Sequence, residues 1–302
     1  MRPIVIGTRG SALAMAQAKL FARLLQQQCP ERSCTLAIVE SPADRQPEAP
    51  LASIAGEGVF VKQLEGALLD GRIDLAVHSM KDLPVAITEG LIIGAVLERE
   101  DPRDALVSRD GVDFDRLKPG ASVGTSSLRR RSQLLRRRGD LSLSEIRGNV
   151  DTRLRKLDQG KYDAIVVAVS GLKRLGLENR ITERLDTSWM LPEPGQGALA
   201  VQARTQDDEL RGFIGLLDHS PSRACVTAER SFLGALGGGC RVPIAALAEA
   251  QDGLLTLQGA VVAADGSRQL RESRQGPISD PDRLGADLAA ELIARGAQSL
   301  LN

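Results

Sequence analysis

Aromatic side chains are nearly missing from this chain: five Phe, one Tyr and one Trp in 302 residues. The core must therefore be built from Leu, Ile, Val and Ala, and a surface that binds nucleic-acid bases by stacking is excluded. Net charge is missing too, with 39 Lys plus Arg balancing 39 Asp plus Glu. That removes the global basic field of a nucleic-acid binder, so any anion site is local. Histidine and cysteine are few. His78 and His219 do not cluster with Cys29, Cys34, Cys225 or Cys240, and no CxxC spacing occurs. This pattern argues against a zinc site and against a Ser-His-Asp or Cys-His-Asn arrangement. No run approaches the roughly 18 apolar residues of a membrane span, and Met1 to Gly7 reads as a strand and a turn rather than as an export signal. The expectation is a soluble protein of the reducing cytoplasm. No internal repeat or low-complexity tract is evident.

What is present is an alternation of short β-branched runs with helical patterns, the rhythm of an α/β protein with helical crossovers. Strands are predicted over Ile4–Gly7, Thr35–Val39, Ile73–Val77, Leu91–Val96, Ser122–Gly124 and Asp163–Ala168, and helices over Ser11–Gln28, Val59–Asp70, Ser127–Arg138, Val150–Gln159 and Arg223–Leu236. Two Pro-bearing stretches, Glu98 to Asp104 and Leu191 to Gly197, interrupt the pattern. They read as paired crossings between two lobes that face each other across a cleft. From about Ser220 the pattern changes to a helix, a Gly-rich loop, a strand pair around Gly253 and a helix from Pro281 to Arg295. That is a small α+β third domain.

Three strand-to-helix turns carry arginine beside hydroxyls: Thr8-Arg9-Gly10-Ser11, Gly124-Thr125-Ser126-Ser127-Leu128-Arg129-Arg130, and Arg147-Gly148-Asn149 leading to Arg153. Free N–H groups and hydroxyls at a helix start bind anions. A cation in the first turn opposes the helix dipole by roughly 0.3–1 kcal/mol, so Arg129 and Arg130 point to a bound anion that offsets the cost. Each turn alone also reads as an ordinary cap, and together they suggest a ligand with several carboxylates or phosphates. Arg136, Arg137 and Arg138, at the far end of the helix, read as a solvated basic face. Ser79-Met80-Lys81-Asp82 follows an apolar strand, where working side chains of such sheets collect. Lys81 and Asp82 are either a site pair or a surface ion pair.

Gly237-Gly238-Gly239-Cys240-Arg241-Val242-Pro243 presents a thiol in a sterically open loop beside a cation that favours the thiolate. Two readings stand at this point: a covalent attachment site, or a loop with an incidental small hydrophobe.

These segments, with Glu98 to Asp104 and Gly195-Gln196-Gly197-Ala198, span nearly the whole chain in order, and the set resembles the hydroxymethylbilane synthase (porphobilinogen deaminase) family. The resemblance implies two lobes of the type II periplasmic-binding-protein kind with mixed sheets, residues 1–98 with 196–217 and residues 99–195, followed by a small α+β domain, 218–302. It implies an enzyme that condenses four porphobilinogen molecules head to tail with loss of ammonia and then releases hydroxymethylbilane by hydrolysis. It also implies a dipyrromethane cofactor held by a thioether to Cys240, a catalytic carboxylate at Asp82, and contacts to cofactor or substrate from Arg9, Ser11, Ser79, Lys81, Thr125, Ser127, Arg129, Arg130, Arg147, Arg153 and Gln196. A monomer with neither a nucleic-acid partner nor a membrane is the family's pattern. Gly56-Glu57-Gly58 stands where the family commonly has Gly-Lys-Gly, and Ser41-Pro42-Ala43-Asp44 where a Thr-x-Gly-Asp pattern is frequent. The competing reading is a two-lobed binding protein without chemistry, which leaves Cys240 and the third domain unexplained.

Overall fold

The computed structural model describes residues 2–40, 59–238 and 242–301. In chain order it contains β1 (Ile4–Thr8), α1 (Ala12–Gln28), β2 (Cys34–Ile38), α2 (Val59–Leu69), β3 (Leu75–Ser79) and β4 (Leu91–Val96). These are followed by β5 (Asp104–Ser108), β6 (Ser122–Gly124), α3 (Leu128–Arg137), β7 (Ser142–Ser144), α4 (Val150–Asp158), β8 (Ala164–Ala168), α5 (Val169–Arg174) and β9 (Glu183–Arg184). The chain continues through β10 (Leu199–Arg204), α6 (Asp208–Gly215), α7 (Ser220–Ala235), β11 (Ile244–Gln251), β12 (Leu254–Val262), β13 (Gln269–Pro277) and α8 (Pro281–Ala294). It divides into two compact units, one holding residues up to Arg99 together with Ala198–Arg223, the other Glu100–Gly197 and Ala224 onward.

The first unit is one mixed sheet in the order β2-β1-β3-β10-β4. β1 runs parallel to β2 and β3, while β10 is antiparallel to β3 and to β4. β1 and β3 are central and apolar, as strands covered on both faces must be. Ile6, Leu75 and Val77 pack with Phe21 and Leu25 of α1, and Leu64 and Leu68 of α2 close a second cluster with Ile73. Gly7 lets Ile73 pack closely on β1: a Cβ there would lie 2.3 Å from Ile73 Cδ1, and the Ile73 side chain would have to shift.

The second unit repeats this order in β7-β6-β8-β5-β9. β6 is parallel to β7 and β8, and β5 is antiparallel to β8 and β9. The repeat lies in the topology, although no internal sequence repeat is evident. Its apolar strands β5 and β8 feed two clusters, one with Phe114, Leu134 and Met190, the other with Ile146, Leu154 and Leu172. The same unit holds the antiparallel sheet β11-β12-β13, against which α7 and α8 pack Phe232, Leu288 and Leu292. Leu191 joins this sheet through Ala245, Leu247 and Ala260.

Several predicted elements shift or are joined by others. The strand expected from Ile73 begins at Leu75 and extends to Ser79, and the helix expected from Arg223 begins at Ser220. The third domain has three strands rather than two, because the polar edge strand β13 pairs with β12 through its backbone. Strands β5 and β10 were not anticipated, since each opens directly after a crossing read as irregular.

Candidate active site

In the first unit, the site begins where the parallel neighbours β1 and β3 end. Their register, Ile6 with Leu75 and Gly7 with Ala76, puts Thr8-Arg9 and Ser79-Met80 at one edge of the sheet. Ser11 caps α1, its hydroxyl accepting from the Ala14 N–H at 3.3 Å. Buried Gln17, two turns on, donates from Nε2 to Ser79 Oγ at 2.9 Å and so ties α1 to the end of β3. Met80 to Asp82 then form a single 3-10 turn, anchored where the Met80 N–H donates to the Ala198 carbonyl. This turn leaves Asp82 exposed and Lys81 half-buried. The structure thus brings Arg9, Ser11, Ser79, Lys81 and Asp82 to one sheet edge.

In the second unit, the parallel neighbours β6 and β7 do the same. Ser126 staples the two following turns together: its hydroxyl donates to the Ile146 carbonyl at 2.6 Å and accepts from the Ile146 N–H at 3.2 Å. The Thr125 hydroxyl accepts from the Ser127 N–H, and the Ser127 hydroxyl caps α3 by accepting from the Arg130 N–H. Gly148, at φ 103°, turns the chain into α4. There Arg153 donates from Nε to the Gly148 carbonyl at 2.9 Å, and Arg147 pairs with Glu145 at 3.0 Å.

The anion that offsets Arg129 and Arg130 at the start of α3 is internal. Asp104, the first residue of β5, is 0 % exposed. Its Oδ2 accepts from Arg129 Nη1 at 2.8 Å, and its Oδ1 accepts from Arg130 Nε and Nη2 at 3.0 and 2.8 Å. Gln196 also donates to Oδ1, at 2.9 Å, and to the Pro102 carbonyl. Burial alone would raise the Asp104 pKa, but the charges of Arg129 and Arg130, with hydrogen bonds from Arg129 and Gln196, hold it well below the usual carboxylate range. Gln196, expected at the ligand, therefore lies in the buried layer beneath the arginines.

One carboxylate does not satisfy this cluster. Arg129 is 2 % exposed, and its Nε and Nη2 have no hydrogen-bond partner among the described residues. Arg153 is pushed down to about 10 by burial and then by the charge of Arg130, and it remains protonated at neutral pH. Three guanidiniums against one buried carboxylate leave two positive charges uncompensated within the group. Burying unpaired charge is costly, so the arrangement suits a ligand that brings carboxylates. It also fits a carboxylate-bearing cofactor such as a dipyrromethane.

Two residues escaped sequence reasoning. In the sequence Asp104 reads as the end of a charged crossing, and its only signal is a carboxylate opening the apolar run Ala105-Leu106-Val107. Arg174, at the end of α5, donates to the Gly197 carbonyl and is pushed down to about 10 by burial, partly opposed by Glu100. Cys240 and the Ser41–Pro50 and Gly56–Gly58 segments lie outside the described residues. Among the described residues there is no group of three or more metal-ligating side chains, and no helix long and apolar enough to cross a membrane.

By strand order, with the fourth strand of each five-stranded sheet antiparallel, this is an α/β protein of two type II periplasmic-binding-protein-like lobes and a small α+β domain. Its chain belongs to the porphobilinogen deaminase family. Residues 4–212 match the family model described as porphobilinogen deaminase, dipyromethane cofactor binding domain, and residues 223–294 match the porphobilinogen deaminase C-terminal domain. Similar relatives include the porphobilinogen deaminases of Desulforudis audaxviator, 48% identical over 99% of this chain and 97% of the relative, and of Methylobacillus flagellatus, 47% identical over the same shares. Among solved structures, the Bordetella pertussis BvgS periplasmic VFT2 domain is 18% identical with a TM-score of 0.42, over 70% of this chain and 85% of that one.

Proposed function

We propose that this chain is a hydroxymethylbilane synthase, a transferase that joins four porphobilinogen molecules head to tail, releases one ammonia for each, and frees the linear tetrapyrrole by hydrolysis. The observation that carries this reading is the buried arginine cluster of the second unit, with two positive charges uncompensated within the group and two unpaired donors on Arg129, in a chain of this family. Porphobilinogen bears an acetate and a propionate on its pyrrole, so each unit presents two carboxylates to such a cluster.

When bound, a dipyrromethane supplies the pyrrole carbon to which the first unit is joined. Cys240 holds it through a thioether, the reason a reduced thiol is needed and the cytoplasm is the fitting compartment. Arg129, Arg130, Arg147 and Arg153, with Thr125 and Ser127, take carboxylates on the second unit, while Gln196 braces the arginines from below. Arg9, Ser11, Ser79 and Lys81 do the same on the first. Asp82, exposed on its short turn, stabilises positive charge on the substrate's pyrrole N–H and moves a proton there in every cycle. The same reading gives a monomer of three domains, residues 1–98 with 196–217, 99–195 and 218–302. The separate core of β11-β12-β13 with α7 and α8 supports the last of them.

The test is ammonia and hydroxymethylbilane production from porphobilinogen. The parent chain should release four ammonia per tetrapyrrole, and Asp82→Asn should lose about 100-fold or more in rate with an unchanged thermal midpoint. A parent protein that binds porphobilinogen but releases no ammonia is a binding protein instead. Near-normal release by Asp82→Asn removes Asp82 from the chemistry.

A further inference from the structure

The buried layer beneath the arginines has a single hub. Asp104 receives Arg129, Arg130 and Gln196 at once, through four hydrogen bonds of 2.8–3.0 Å, and no part of it reaches solvent. The remaining donors of the two arginines are mostly fixed as well. Arg129 Nη1 also donates to the Leu191 carbonyl at 2.8 Å, and Arg130 Nη1 to the Val166 carbonyl at 3.1 Å. The nitrogens of the two arginines left with no partner at all form one edge of one guanidinium, Arg129 Nε and Nη2. A guanidinium is planar, so pinning Nη1 fixes the plane in which the other edge lies.

We propose that Asp104 is a positioning residue for ligand carboxylates: by fixing Arg129 and Arg130 together through one buried carboxylate, it aims the unpaired edge of Arg129 at the anionic substituents of cofactor and substrate. Asp104 touches no ligand itself. It acts through the arginines, and through Gln196 it ties them to the second crossing, because the same Gln196 amide nitrogen donates to the Pro102 carbonyl at 2.7 Å. The arrangement also limits the charge left for the ligand. Without Asp104, adjacent arginines would repel each other at a helix start that already disfavours cations.

This inference rests on the reading that Arg129 meets ligand carboxylates, and the test separates the two. Steady-state kinetics with porphobilinogen, normalised to cofactor-loaded protein by intact mass, are measured for Asp104→Asn, Asp104→Glu, Arg129→Lys and the core variant Leu134→Ala. Leu134 is fully buried in the same helix and serves as a purely structural control. Asp104→Asn should raise KM at least about tenfold, with a smaller change in kcat, because the binding edge is misaimed while Asp82 is untouched. Asp104→Glu keeps the charge and displaces it by a methylene; it should also raise KM, and it carries the test if the Asn variant does not fold. Leu134→Ala should lower the thermal midpoint and leave KM where it is. Asp104 variants that lose midpoint but keep the parent KM and loading overturn the proposal and make Asp104 structural only. If Arg129→Lys raises KM and the Asp104 variants do not, the positioning inference fails alone. Parent values for Arg129→Lys sink the underlying reading as well.

Discussion

The two five-stranded sheets share one strand order, and they differ in what they do with it. In each, a Gly-Thr pair marks the end of the second strand of the order: Gly7-Thr8 closes β1, and Gly124 closes β6 with Thr125 next, and both threonines are buried. A serine then caps the next helix, Ser11 on α1 and Ser127 on α3. Past this point the sheets diverge. After β3 comes a short turn that exposes Asp82, whereas after β8 the chain goes straight into α5. The antiparallel strands differ as well. β5 contributes Asp104 to a charged network, while β10 contributes Gln202, which donates to buried Glu65 at 2.8 Å; Glu65 in turn accepts from the Thr88 hydroxyl at 2.8 Å. The same scaffold thus carries an exposed acid at the edge of one sheet and a buried, net-positive arginine cluster in the other unit. A repeated topology fixes where side chains arrive and leaves their chemistry open.

The two antiparallel strands should differ most in what the loss of their buried polar residue costs. Asp104→Ala strands two buried guanidiniums and should cost about 3–5 kcal/mol. Gln202→Leu removes a neutral donor from Glu65 and should cost about 1–3 kcal/mol. Chemical denaturation of both variants checks the order, and equal costs would mean that the charged network is no more demanding than the neutral one.

A smaller effect belongs to the first unit alone. Burial pushes the His78 pKa down to about 4, against a weaker upward pull from Gln202. Folded His78 is therefore neutral where the unfolded chain, with the ordinary value of 6.5, already binds a proton. The unfolded state then binds more protons, so stability falls as pH drops from about 6.5 towards about 4, by about 2 kcal/mol at pH 5. Denaturation between pH 7 and 5 should show that slope, and His78→Gln should flatten it. A parent protein equally stable at pH 7 and 5 would contradict the assignment.

Much of this was legible in the residues, and the exceptions share a cause. β1, β6, α1 and α3 follow from β-branched runs and from hydroxyl caps placed where helices begin. The arginine turns were visible because their partners in the turn are local. β5 and β10 were not, because each carries a polar residue at a buried position, Asp104 in one and Gln202 in the other. Their partners are distant in sequence: Arg129 and Arg130 lie 25 and 26 residues from Asp104, and Glu65 lies 137 residues from Gln202. A carboxylate satisfied at long range looks, in one dimension, like a solvated charge. For the same reason the sequence alone points outside the protein for the anion at the start of α3, of which Asp104 is one part. β13 was missed for a simpler reason, since an exposed edge strand needs no apolar alternation.

The most direct test of the account is the intact mass of freshly purified protein under denaturing conditions, measured beside Cys240→Ser. The parent chain should carry extra mass equal to two linked pyrrole units, and the serine variant none. An unmodified parent chain that stays unmodified after incubation with porphobilinogen, or a serine variant carrying the same extra mass, would contradict it.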